Sequence, residues 1–190
     1  VFKAIYFMPI AMATSIITAI FRIIMDPTNG ALNQFLRAIH LNGFAVNWLG
    51  DPKIALVSVI IVNIFQWMGF SMITYYAGLM SLPDDVYEAA KIDGASAIQT
   101  FFKITVPLLK PTILLTAIMS TNGTLQLFDE SINLTDGGPA NASISMSHYI
   151  YNLCFKYVPN FGYAAAMSFF ILLLVAVLAF IQMRVGDKRD

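Results

Sequence analysis

The sequence predicts an all-α, polytopic membrane protein, and three observations carry that prediction. Of 190 residues, 58% are apolar and 12% are charged, about half the charged share of a soluble domain. The charges are also clustered, leaving the stretches 4–21, 54–83, 111–128 and 157–183 without any. Roughly 20 apolar residues let a helix cross a bilayer, so each of these stretches is long enough to seed a span. Apolar and polar residues nowhere alternate over a sustained run, which argues against a β-barrel. Eleven Lys and Arg balance eleven Asp and Glu, so net charge points to no nucleic-acid partner. The single cysteine, Cys154, has no partner for a disulfide and is expected to pack as a small apolar residue.

The elements follow in order. The chain opens on Val1 with no basic leader before the first apolar run, so it reads as truncated at its start. A first span is expected over residues 4–25, with Arg22 snorkelling outward from its end. A second is expected over 56–80, a third over 109–130 and a fourth over 163–184. The uncharged stretch 137–155 is too polar to face lipid. Its second half suits an interfacial helix with Tyr149, Ile150 and Phe155 toward the membrane. Four spans put Lys3, Lys91, Lys103, Lys110, Arg184, Lys188 and Arg189 on one side, against Arg22, Arg37, Lys53 and Lys156 on the other. The side richer in basic residues is expected to be cytoplasmic.

The loop over 81–108 then lies in the cytoplasm. Pro83 suits a first helical turn, and Asp84 and Asp85 complement the positive end of the helix dipole. Asp85 and Glu88 have the spacing of a capping box. Ala89 and Ala90 give the helix a thin side able to lie close to another protein, and Gly94 supplies a left-handed stop. A second short helix is expected through Phe101 and Phe102, with Pro107 turning the chain back into the membrane.

These loop residues resemble a known family. Glu88-Ala89-Ala90, Gly94, Ile104 and Pro107 are similar in type and spacing to the loop signature of permease subunits of binding-protein-dependent ABC importers. Val106 stands where that signature has Leu, and Asp93 and Ala95 complete its longer form. The runs Leu134-Thr-Asp-Gly-Gly-Pro139, Tyr149-Ile-Tyr and Phe161-Gly-Tyr-Ala-Ala-Ala166 resemble the carbohydrate branch, the maltose and multiple-sugar permeases of the larger-subunit type. So do the opening Phe2-Lys-Ala-Ile-Tyr-Phe-Met-Pro9 and Asp26-Pro-x-x-Gly-Ala-Leu-Asn33. The likeness runs nearly the whole length and corresponds to the carboxy-terminal two-thirds of a permease, a single transmembrane domain over 1–190. It implies a multi-pass protein of the bacterial inner membrane that pairs with a second permease subunit, two ATP-binding cassette subunits and an extracytoplasmic sugar-binding protein. It also implies that Glu88, Ala89, Ala90, Asp93, Gly94, Ala95, Ile104 and Pro107 couple transport to the ATPases. No cofactor is implied in this chain, because ATP and magnesium would bind the partner ATPase. The chain accordingly contains no Gly-x-x-x-x-Gly-Lys-Ser/Thr phosphate loop.

Polar residues at membrane depth are costly, and they serve helix packing or a pathway. Asn63, Trp67 and Phe70 share one helical face in mid-span, with Gln66 adjoining. An amide for hydroxyls and an indole for apolar ring faces suit a sugar; a plain interhelical hydrogen bond is the other reading. Ser120, Gly123 and Thr124 form a polar insert in the third span, where Gly123 is expected to loosen the helix beside a cavity. In the resembled sugar permeases, these two spans line the substrate path. The competing reading is small residues packing on a partner helix. Asp129 and Glu130 at the outer end read as solvated helix ends, or as contacts to the binding protein. His40 and His148 have no paired ligands, so no metal site is expected. Ser145, His148 and Asp136 have the residue types of a hydrolase triad without a nucleophile-elbow motif, and that reading is rejected. A permease for another polar solute, such as a glycerol phosphate, and a non-transporting membrane scaffold remain as alternatives; an intramembrane enzyme lacks any visible catalytic pair.

Overall fold

The computed structural model describes residues 2–186, with side chains from residue 5 onward. The Lys3 side chain and residues Lys188 and Arg189 lie outside what it describes. Among the described residues every regular element is helical. The chain runs through α1 (Phe2–Ala11), α2 (Thr14–Ile24), α3 (Ala31–Ala38), α4 (Ala55–Met80), α5 (Asp84–Ile92) and α6 (Ala97–Thr100). It continues through α7 (Val106–Leu108), α8 (Lys110–Leu125), α9 (Asp129–Thr135), α10 (Met146–Tyr151) and α11 (Phe161–Gly186).

Two helices match expected spans closely. α4 and α11 have 26 residues each, a rise of about 39 Å, enough to cross a bilayer core of about 30 Å. On α11 only Ala164 and Ile171 are buried, while Phe169, Phe170, Leu172 and Phe180 stay exposed. An apolar helix uncovered on most of its circumference is suited to lipid rather than to water. A polar contact joins α11 to α8, where Gln182 Nε2 donates to Thr121 Oγ1 at 2.9 Å.

The other two expected spans are not single helices. Residues 4–25 divide into α1 and α2, whose axes meet at 111°. Ala13 is extended between them and its carbonyl starts α2 by accepting from Ile16 and Ile17. The reason is amphipathicity. α2 buries Ile17 and Thr18 and leaves Ile16, Ile20 and Ile23 exposed, so it lies with one face on the bundle. The helix of the expected third span, 109–130, ends early at Leu125, and a 63° bend at its start separates it from Ala97–Leu108, the end of the expected loop. Pro107 and Pro111 each lack a donor on either side of Leu109, which locates the bend. The straight part, α8, has 16 residues and rises only about 24 Å.

The core that fixes the site lies among α2, α4 and α9, where Ile17, Met25, Val59, Val62 and Leu134 pack together with Trp48 and Leu127 against them. A polar knot clamps the preceding loop to it. Buried Asn33 donates to the Val46 carbonyl at 2.9 Å and accepts from Trp48 Nε1 at 2.8 Å. Ser58 Oγ on α4 in turn donates to the Trp48 carbonyl at 2.6 Å.

Candidate functional site

The face of α4 bearing Asn63, Trp67 and Phe70 lines a cavity of about 400 Å³, within the range of small-molecule pockets. Ser120, Gly123 and Thr124 line it from α8, with Thr116 one turn earlier, so two helical faces with apolar and hydroxyl surface oppose each other. Six of the seven residues expected on a substrate path therefore meet around one space. Gln66 does not. It is 3% exposed and donates from Nε2 to Thr14 Oγ1 at 2.8 Å, and Thr14 is the residue that reaches the cavity. One position from Trp67 on a helix is a turn of about 100°, which sends Gln66 toward α2. Gly123 does not loosen the helix either: α8 runs through it to Leu125.

The cavity's outer wall comes from the turn at 126–128 and the start of α9. Glu130, expected as a solvated helix end or a contact to the binding protein, is instead 5% exposed. Its Oε1 accepts from Asn63 Nδ2 at 2.7 Å and from Trp67 Nε1 at 3.3 Å. One Asn63 amide N–H and the Trp67 indole N–H are thus engaged within the protein. Asp129 is exposed at the rim.

At the other end of α4, the connecting loop is a small ordered unit. α5 begins at Asp84 directly after Pro83, which places Asp85 inside the helix, so the expected Asp85–Glu88 capping box does not form. The box occurs instead at α6, where Ser96 Oγ accepts from the Gln99 amide and Gln99 Oε1 accepts from the Ser96 amide. The stop at Gly94 has the expected left-handed φ of 72°. Gly94 N–H donates to the Lys91 carbonyl and Ala95 N–H to the Ala90 carbonyl, the paired bonds of a Schellman ending. Tyr87 Oη and Thr105 Oγ1 are 3.1 Å apart and fold α5 against the wider π-type turn Phe101–Thr105. Glu88, Ala89, Asp93, Gly94 and Pro107 are exposed, Ala95 and Ile104 are half-buried, and Ala90 is buried. Ile92, Ile98 and Phe102 are 86%, 72% and 66% exposed, an apolar display on the surface of this unit.

The sequence pattern described as binding-protein-dependent transport system inner membrane component matches residues 1–189. The chain belongs to this family. It is 44% identical over 190 residues to the lactose transport system permease protein LacF of Rhizobium radiobacter, covering 99% of this chain and 63% of that protein. It is 33% identical over 189 residues to the trehalose/maltose transport system permease protein MalF of Thermococcus litoralis, covering 100% and 63%. A crystal structure of a bacterial ABC transporter importing the acidic polysaccharide alginate superposes with a TM-score of 0.84 at 26% identity, covering 97% of this chain and 64% of its counterpart. A second structure of an alginate transporter, in complex with a periplasmic protein bound to alginate pentasaccharide, superposes with a TM-score of 0.75 at 26% identity, covering 97% and 62%. The chain thus spans under two-thirds of the length of these relatives.

In this transport component, α9, α10 and the loop between them form a knitted outer cap. Ser131 Oγ donates to the Ser143 carbonyl at 2.8 Å and meets His148 Nδ1 at 2.9 Å. Ser145 caps α10 by accepting from the His148 amide. Asp136 Oδ1 is 3.6 Å from His148 Nε2, and Lys156 Nζ donates to both Asp136 oxygens at 2.9 and 2.7 Å. The imidazole therefore has a serine and an aspartate beside it, but the serine is Ser131, and both Ser131 and His148 are 0% exposed. No substrate reaches such a group, so the arrangement is a brace. A helix does form in the second half of 137–155, as α10, continued by the π-type turn Asn152–Lys156, with Phe155 73% exposed and Tyr149 and Ile150 half-buried.

Burial holds the His148 imidazole below its ordinary range; Asp136 opposes that shift and Lys156 adds to it. Lys156 in turn lowers the Asp136 carboxyl. A depressed histidine binds fewer protons folded than unfolded, so its contribution is complete above about pH 6.5 and is lost as pH falls below it. The Tm of the wild-type assembly should therefore drop more between about pH 7 and 5.5 than that of His148→Gln. Parallel Tm profiles would contradict this.

Proposed function

We propose that this chain forms part of the membrane-spanning subunit of an ATP-driven sugar importer of the bacterial inner membrane, contributing one wall of the translocation path and the contact to the ATPase. The observation that carries the reading is the cavity between α4 and α8, where Trp67 and Phe70 offer apolar faces and Ser120 and Thr124 offer hydroxyls. Sugars present the matching surfaces, C–H faces for aromatic rings and hydroxyl rims for polar groups. The relatives named for lactose and for trehalose/maltose transport support that substrate class. The exposed loop surface at Glu88, Ala89 and Gly94 docks on a cytoplasmic ATP-binding subunit, which binds ATP and magnesium and performs the hydrolysis. Two such subunits, a second permease subunit and an extracytoplasmic sugar-binding protein complete the assembly; the alginate transporter solved with its periplasmic protein supports the last of these.

The test is ATP-dependent uptake of radiolabelled lactose by the full-length permease reconstituted with its partner subunits and binding protein in proteoliposomes. Trp67→Ala should lower uptake about tenfold, the loss of one stacking contact of about 1.4 kcal/mol. Uptake equal to the wild type would remove Trp67 from the path, and no uptake of any neutral disaccharide would overturn the sugar reading.

A further inference from the structure

We infer that Glu130 makes the cavity a charge filter, admitting neutral glycans and rejecting uronic-acid glycans. The inference rests on the sugar-path reading and adds the charge class of the substrate. The fold alone does not decide that class, because the superposed alginate importer carries an acidic polysaccharide.

Three observations converge on Glu130. First, the carboxyl is inside the wall, 5% exposed, and its Oε1 is pinned by Asn63 Nδ2 at 2.7 Å and Trp67 Nε1 at 3.3 Å. Pinning by neighbours on α4 stops the group from swinging out when a ligand arrives. Second, Asp129 stands beside it at the rim, and no Lys, Arg or His is among the described residues lining the cavity. A second anion entering this space meets two acidic side chains and no cation. Third, the Trp67 indole N–H and one of the two Asn63 amide N–H groups are already given to Glu130, so a uronate carboxylate would compete with a resident carboxylate for them. The other polar side chains lining the cavity are neutral, among them the amides of Asn63 and Gln126 and the two-way hydroxyls of Ser120 and Thr124. That wall recognises hydroxyl donors, which neutral sugars supply in excess. Glu130 is thus a specificity residue for the path, and two charges about 6 Å apart at an effective dielectric near 20 correspond to about a hundredfold discrimination.

The experiment measures equilibrium binding of radiolabelled lactose and digalacturonate to the assembled full-length transporter in nanodiscs, without binding protein, so that selectivity upstream does not contribute. The wild type should prefer lactose by at least about tenfold, and Glu130→Gln, which retains an acceptor for Asn63 and Trp67, should reduce the preference below about threefold. Raising ionic strength should strengthen wild-type binding of digalacturonate and narrow its gap to lactose, a readout that does not depend on any variant folding. Lactose binding with a ratio unchanged in Glu130→Gln, or with equal wild-type affinities, overturns the filter and leaves the sugar path standing. Failure of both saccharides to bind an assembly with active ATPase overturns the path and the filter together.

Discussion

Replacing Gly94 by valine in the complete transporter is expected to cut sugar uptake at least about tenfold while ATP hydrolysis continues. On the proposed coupling role, the loop transmits movement only if α5 ends where it does and sends the chain on to α6. That ending depends on a φ of 72° at Gly94, where a β-branched residue is a genuine outlier. Nothing lies within 4 Å of a Cβ built on Gly94, so the penalty comes from the backbone and not from a clash. The order of effects follows from that: asparagine, which tolerates the left-handed region, should be mildest, alanine intermediate at about 1–2 kcal/mol of strain, and valine worst. Because the residue is exposed and outside the core, the spans should still assemble. Uptake and ATPase rates for the three variants in one proteoliposome preparation test the series. Equal losses for asparagine and valine would show that a side-chain contact matters and not the backbone, and undiminished uptake in valine would remove Gly94 from coupling.

The same contrast between local and distant causes explains what the sequence disclosed. α4 and α11 were legible because their apolar runs are long and uninterrupted, and the Gly94 stop because left-handed backbone has a residue signature. The break at Ala13 was hidden: residues 4–25 are predominantly apolar with no charge before Arg22, and only packing shows that one face of α2 is buried while Ile16, Ile20 and Ile23 stay uncovered. The capping box was misplaced by one helix, since Pro83 sets the start of α5 one residue before Asp85. In the cavity, the common face of Asn63, Trp67 and Phe70 followed from helical spacing. Its closure by Glu130 did not, because the partners lie 67 and 63 residues apart in sequence, and the turn at 126–128 that brings α9 over α4 has no motif. Gln66 shows the converse error, a polar residue beside the right face but pointing to α2.

Gly69→Val should lower the Tm of the assembled transporter by about 5 °C or more, the effect of roughly 2–3 kcal/mol in a chain of this size. α1 crosses α4 at Gly69, and a Cβ there would collide with the Tyr6 carbonyl oxygen and stand 3.1 Å from the Phe7 Cα. The colliding atoms are backbone, so no rotamer change relieves them; α1 must back away as a whole. Helices in membranes associate through close approach of small residues, and that contact is what the substitution removes. The displacement also reaches the site, because α1 leads through Met12 and Ala13 into Thr14, which lines the cavity and receives the Gln66 hydrogen bond. Gly123→Ala supplies the control of opposite sign. No atom lies within 4 Å of its Cβ position, and alanine is the better helix former by about 0.5–1 kcal/mol. Thermal unfolding of the two purified assemblies should therefore move in opposite directions. A Gly69→Val assembly as stable as the wild type would mean that α1 does not cross α4 at this contact.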